Sequence, residues 1–209
     1  MQKNIILIFL ILTFICSCSK TNENAEDLFN KTKLLWDGKQ YTDPKKAIEY
    51  LDKIIKLRPN LAEAYNQRGV AHGNIGQNQP AIEDFTVAIR LQPDHVLAYF
   101  NRGTLYNNLN QDKQAMDDFN EAIRLRPDIF AAYNSRGIIY NKLGKYQLAI
   151  KDFNESIKLQ PNNAIAYNNR GIAHFKQGDN KLCCNDVQKA CSMGFCKGLE
   201  LFKSRGYCR

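Results

Sequence analysis

Histidine is scarce in this 209-residue chain: His72, His95 and His174 are the only three. No phosphate-binding loop, nucleophile elbow or zinc-protease helix accompanies them, so the usual hydrolase and NTPase signatures are missing. The seven cysteines include no CxxC pair. The late group 183, 184, 191, 196, 208 has no histidine close in sequence, which argues against a zinc site. No apolar run approaches the roughly 20 residues that a membrane-spanning helix needs. These absences argue against the common enzyme classes, and they make a permanent transmembrane anchor the weaker reading. They leave a binding or structural protein that needs no metal and no cofactor.

An apolar run does open the chain, but it spans only Ile5 to Ile15, 11 residues, behind a single Lys3. A basic start, a short apolar core and small residues are the layout of a secretory signal. Ile15-Cys16-Ser17-Cys18 resembles a bacterial lipobox. The resemblance implies a diacylglycerol thioether on Cys18, which becomes the mature N-terminus; a plain signal peptide with incidental cysteines is the alternative. The expected organisation is a signal over 1–17, a polar tether over 18–25, and a lipid anchor in the cell envelope, at the outer membrane or cell surface. The formal charge is +8, and +7 without Lys3. Basic and acidic residues are interspersed along the chain, so no nucleic-acid footprint emerges.

A period dominates the remainder. Prolines fall at 59, 93, 127 and 161, tyrosines at 65, 99, 133 and 167, and glycines at 69, 103, 137 and 171, always 34 residues apart. A fixed period of this length means stacked helical units. The residues resemble tetratricopeptide repeats, with an aromatic at repeat position 4, Gly at 8, Tyr at 11, Ala at 20, Phe at 24, Ala at 27 and Pro at 32. The third unit supplies Tyr99, Gly103, Tyr106, Ala115, Phe119, Ala122 and Pro127. The resemblance implies an all-α, right-handed superhelix, an α-solenoid of about five helical hairpins over 26–192. Their bounds are 26–61, 62–95, 96–129, 130–163 and 164–192, and a capping helix and tail follow over 193–209. Gly at 8 and Ala at 20 are expected where the two helices of a hairpin cross, with Tyr and Phe filling the space beside that contact. His72 and His174 fall at position 11 and read as packing residues.

Position 7 is usually aliphatic in this family. Here it is Arg68, Arg102, Arg136 and Arg170, and position 23 is Asp84, Asp118, Asp152 and Asp186. The first unit lacks both together, which predicts an Arg–Asp pair inside each later hairpin.

The resemblance also places the concave surface on the first helix of each hairpin. Position 5 gives Asn66, Phe100, Asn134 and Asn168, and position 6 gives Gln67, Asn101, Ser135 and Asn169. Lys142 and Lys176 at position 13 make the far end basic. Side-chain amides donate and accept, so this row is expected to hold the main chain of a protein or extended peptide. Positions 2, 5 and 6 of the second to fifth units hold no Lys or Arg, so the terminal-carboxylate clamp of chaperone-docking relatives is not expected. An alternative is a structural factor for an envelope or secretion complex, acting through the convex face or by self-association. For the late cysteines, helices over about 180–192 and 196–205 running antiparallel would pair Cys184 with Cys208 and Cys191 with Cys196. Cys183, which replaces the close-packed alanine, is expected to be a buried free thiol.

Overall fold

The computed structural model describes residues 24–208, which form eleven α-helices and no strand. They are α1 (Ala25–Leu34), α2 (Pro44–Leu57), α3 (Ala62–Asn74), α4 (Asn78–Leu91), α5 (Val96–Asn108), α6 (Asp112–Leu125), α7 (Phe130–Lys142), α8 (Tyr146–Leu159), α9 (Ala164–Lys176), α10 (Asn180–Ser192) and α11 (Lys197–Ser204). Successive helices pack as five antiparallel hairpins with α11 closing the C-terminal end. Cys18 and the leader lie outside the described residues. The solenoid begins slightly earlier than its sequence bound. Asn24, assigned to the tether, caps α1 by accepting hydrogen bonds from the Glu26 and Asp27 N–H groups, both at 2.9 Å.

The prolines set the ends of the second helices. A residue before proline is driven out of the α region by the pyrrolidine ring. Arg58, Gln92, Arg126 and Gln160 accordingly take φ between −142° and −133° with ψ between 76° and 94°. Inside the hairpins the turn needs a left-handed residue. Gly76 and Gly144 supply it at φ +74° and +72°, and Asn110, at φ +57°, substitutes in the third hairpin.

In the second to fourth hairpins the closest approach is between the glycine and a phenylalanine ring, with the Ala81 carbonyl also 3.1 Å from a Cβ on Gly69, and in the fifth Gly171 faces Val187 instead. A Cβ on Gly137 would lie 2.7 Å from Phe153 Cε1, and one on Gly69 would lie 2.7 Å from Phe85 Cε1. The position-20 alanines are fully buried alongside. No single hairpin encloses this core; each is completed by its neighbour.

Every predicted Arg–Asp pair forms within its hairpin. Arg136 Nε and Nη2 donate to Asp152 at 2.8 and 2.7 Å, and Arg68, Arg102 and Arg170 repeat the geometry on Asp84, Asp118 and Asp186. A further contact was not foreseen. Each Nη1 reaches the second helix of the preceding hairpin, to Asp52 (2.6 Å), Thr86 (3.0 Å), Asn120 (2.8 Å) and Asn154 (2.7 Å) in turn. One guanidinium therefore ties its own hairpin together and clamps it to the one before. The hydrogen bonds that they donate to the aspartates, outweighing burial, raise the affinity of Arg68, Arg136 and Arg170 for their protons. His174 lies 3.9 Å from Asp186 beside the same pair, and burial lowers its pKa.

At the C-terminus, the Cys184 and Cys208 sulfurs are bonded with their Cα atoms 5.5 Å apart, and those of Cys191 and Cys196 with Cα atoms 4.0 Å apart. Cys183 is free and buried. No helix among the described residues is long and apolar enough to cross a membrane.

Candidate peptide-binding groove

The asparagine row is not the open amide surface that the repeat positions suggested. Asn66 is only 4% exposed and Asn168 only 8%. Neighbouring first helices lie close enough for the amides to bond to one another. Asn101 donates to Asn66 Oδ1 at 3.0 Å, and Asn169 donates to Asn134 Oδ1 at 3.3 Å. Phe100 interrupts the ladder between them. Asn168 is covered by the capping helix: a Cβ on Gly198 would fall 2.0 Å from its Oδ1, so only glycine lets α11 seat there. Part of the row thus joins repeat to repeat, while Gln67, Asn101, Asn134 and Asn169 stay half-buried and reachable. The basic far end is also reduced, because Lys142 is paired with Asp112 at 2.6 Å. Asn74, further along the same face, accepts the Tyr41 N–H at 3.0 Å.

That last bond fixes the feature that sequence reasoning missed. The irregular loop between α1 and α2 folds back as an isolated antiparallel bridge between Trp36 and Tyr41, whose rings meet edge-on at 5.2 Å. Tyr41 is buried and its hydroxyl lies 3.4 Å from Gln67 Oε1. The loop becomes one wall of a recess of about 480 Å³ whose other walls are α3 and α5. Apolar surface comes from Trp36, Val70, Leu97 and Phe100, and polar groups from Glu63, Asn66, Gln67 and Asn101. Leu97, at repeat position 2, is 44% exposed within it. Four of the seven groove residues expected from sequence (Asn66, Gln67, Phe100 and Asn101) line this recess. Asn134, Asn168 and Asn169 lie further along.

A hydrogen-bonded chain holds the floor. Gln67 Nε2 donates to Glu63 Oε1 at 2.7 Å, and His95 Nε2 stands 3.2 Å from Glu63 Oε2. His95 Nδ1 accepts the Ala98 N–H at 3.3 Å, capping α5, which leaves Nε2 as the donor to Glu63. Burial pushes the Glu63 carboxyl up, but the bonds from His95 and Gln67 prevail and hold it below its ordinary range. Burial, with Glu63 adding to it, raises the Tyr41 phenol to about 12. The floor is thus hydrogen-bonded within the scaffold, while the apolar walls are open.

The stacked hairpins define a helical-repeat scaffold for protein–protein interaction. The tetratricopeptide-repeat profile matches residues 62–95 and 96–129, and a TPR-repeat profile matches 137–178; the chain belongs to the tetratricopeptide-repeat family. Proteins of this family are as a rule non-catalytic. Among solved structures, one of MamA is similar at 25% identity with a TM-score of 0.67, over 73% of this chain and 90% of that one. MamA from Desulfovibrio magneticus RS-1 aligns at 21% identity and TM-score 0.71, over 81% and 94%. YrrB, described as a TPR protein with an unusual peptide-binding site, aligns at 21% identity and TM-score 0.68, over 87% and 92%. No curated protein matches the chain.

Proposed function

We propose that this chain is a lipid-anchored envelope scaffold that holds an extended segment of a partner protein in the N-terminal part of its concave groove. The observation that carries the reading is the recess between the Trp36–Tyr41 loop and helices α3 and α5. It joins exposed apolar surface to amides already oriented by the fold. Asn101 is held in place by donating its Nδ2 to the buried Asn66 Oδ1, and Asn101 and Gln67, both half-buried, are the amides an incoming peptide group would meet. A peptide main chain presents a donor and an acceptor at every residue.

Photo-crosslinking in intact cells tests the site. A benzoyl-phenylalanine at Leu97 is expected to trap a discrete protein adduct, and one at Leu148, exposed on a second helix, to trap none. Leu97→Glu should weaken partner binding about tenfold or more while the melting temperature stays within a few degrees, because surface substitutions rarely cost much stability. Adducts from position 148 and not from 97 would move binding to the convex face and favour the assembly-factor reading.

The anchor rests on Ile15-Cys16-Ser17-Cys18, with α1 starting only seven residues after Cys18. Acyl chains contribute about 0.8 kcal/mol per buried methylene, so a multiply acylated cysteine would hold the solenoid at the bilayer. Cys18→Ala is expected to release the protein from the membrane fraction or to block its processing. Unchanged retention together with an unchanged mature mass would rule the anchor out.

A further inference from the structure

We propose that the recess selects a partner segment in which an aromatic or branched aliphatic side chain lies next to a carboxylate. The proposal rests on the groove reading above and adds the chemistry of the occupant. At about 480 Å³, the recess lies in the lower part of the range for small-ligand sites, roughly 300–1,000 Å³. That is room for one large side chain and its adjoining main chain. The walls that would receive the side chain are Trp36, Leu97 and Phe100.

The charges around these walls are unequal. Glu63, the recess acid, is already engaged by His95 at 3.2 Å and Gln67 at 2.7 Å, so it is committed to the scaffold. Lys33, in the last turn of α1, and Lys39, in the loop, line the same recess and are both exposed. Neither lies within ion-pair distance of a carboxylate among the described residues, although the Lys39 charge, after the backbone bonds from Gln40 and Lys39, helps hold the Asp37 carboxyl below its ordinary range. Asp37, the acid nearest Lys39 in sequence, turns its Oδ1 to the backbone N–H groups of Lys39 and Gln40, each at 2.8 Å. An arriving carboxylate meets two ammonium groups at the edge of an apolar surface, where attraction is stronger than in open water. An arriving lysine or arginine is repelled by the same pair. Both lysines belong to the first hairpin, outside the repeat positions that hold a terminal carboxylate in chaperone-docking relatives.

The test is selection of a random heptapeptide phage library on the full chain, on Lys33→Glu/Lys39→Glu and on Leu97→Glu. Capped versions of the selected peptides are then titrated against Trp36, the sole tryptophan. The expected consensus on the unaltered chain pairs an aromatic or branched aliphatic residue with Asp or Glu. Replacing that acid by its amide should weaken the Trp36-detected affinity about three- to tenfold, the scale of two exposed ion pairs. On the charge-reversed variant the acidic preference should vanish or turn basic. An apolar consensus without acidic bias overturns the proposal and leaves the groove reading standing. So does an acidic bias that survives charge reversal, including the case in which reversal abolishes only sedimentation with phosphatidylglycerol vesicles. Enrichment indifferent to Leu97→Glu overturns both.

Discussion

Replacing Arg136 with alanine should destabilise the solenoid by about 3 kcal/mol and lower its melting temperature by roughly 10 °C. The size follows from what is left behind. Asp152 is 4% exposed and receives both of its short bonds from this guanidinium. An exposed ion pair contributes under about 1 kcal/mol, whereas stripping the partner from a buried charge costs about 3–5 kcal/mol. The aspartate lies in the second regime, and the arginine, 18% exposed, moderates the loss toward its lower end. Two further losses add to it. The bond to Asn120 of the preceding hairpin disappears, and so does the guanidinium over the Tyr133 and Tyr140 rings, at 5.7 and 5.9 Å. Because a solenoid is stabilised by nearest-neighbour interfaces, a lesion in the fourth hairpin weakens both sides of the stack. Arg136→Met with Asp152→Leu should recover much of the loss, since an apolar pair leaves no charge stranded. Thermal denaturation of the three proteins decides the matter. A shift of under 2 °C for Arg136→Ala would mean that water reaches Asp152, and a collapse of partner affinity at unchanged stability would make the arginine a ligand contact.

The Arg–Asp pair was legible because both partners recur at the same interval, and the pairing register followed from the first unit lacking both. Its third contact was not, because Asp52, Thr86, Asn120 and Asn154 occupy equivalent places with different chemistry, and recurrence reveals only what repeats. The burial of Asn66 and Asn168 was hidden for the opposite reason. Their recurrence was visible and the repeat positions put them on the concave face, but the packing of first helices lets one amide satisfy the next and buries Asn66 to 4%. The recess depends on the irregular α1–α2 loop. Trp36 and Tyr41 have no counterparts in other repeats, so the period is silent about them. Gly198 likewise gave no signal, since its role exists only where α11 crosses Asn168.

Breaking the Cys184–Cys208 bond, by Cys184→Ser with Cys208→Ser, should cost about 3–4 kcal/mol and free the C-terminal cap ahead of the rest of the chain. The bond closes a loop across 24 positions, and the chain-entropy argument assigns a loop of that length about 3.5 kcal/mol. The Cys191–Cys196 bond spans five positions, which the same argument places nearer 2 kcal/mol. The cap depends on the longer link because little else secures it. Helix α11 has eight residues, shorter than an isolated helix can sustain in water. It docks through Phe202, whose ring lies 4.9 Å from that of Phe175, while Tyr207 meets Phe175 at 4.8 Å. Undocking exposes the last apolar face, where Val187 and Cys183 are fully buried. Cys183 should not rescue the link. Burial, reinforced by Asp186 and Asp179, pushes its thiol up to about 11, so little thiolate forms at neutral pH to attack a neighbouring disulfide. In protein isolated from its native source without reductant, non-reducing peptide mapping should recover both bonds, with Cys183 alkylated only after unfolding. Hydrogen exchange in the double serine variant should quicken over residues 193–208 and stay slow over 62–159. Finding Cys184 and Cys208 free, Cys183 oxidised, or exchange in the cap unaltered would show that side-chain packing alone holds the end of the solenoid.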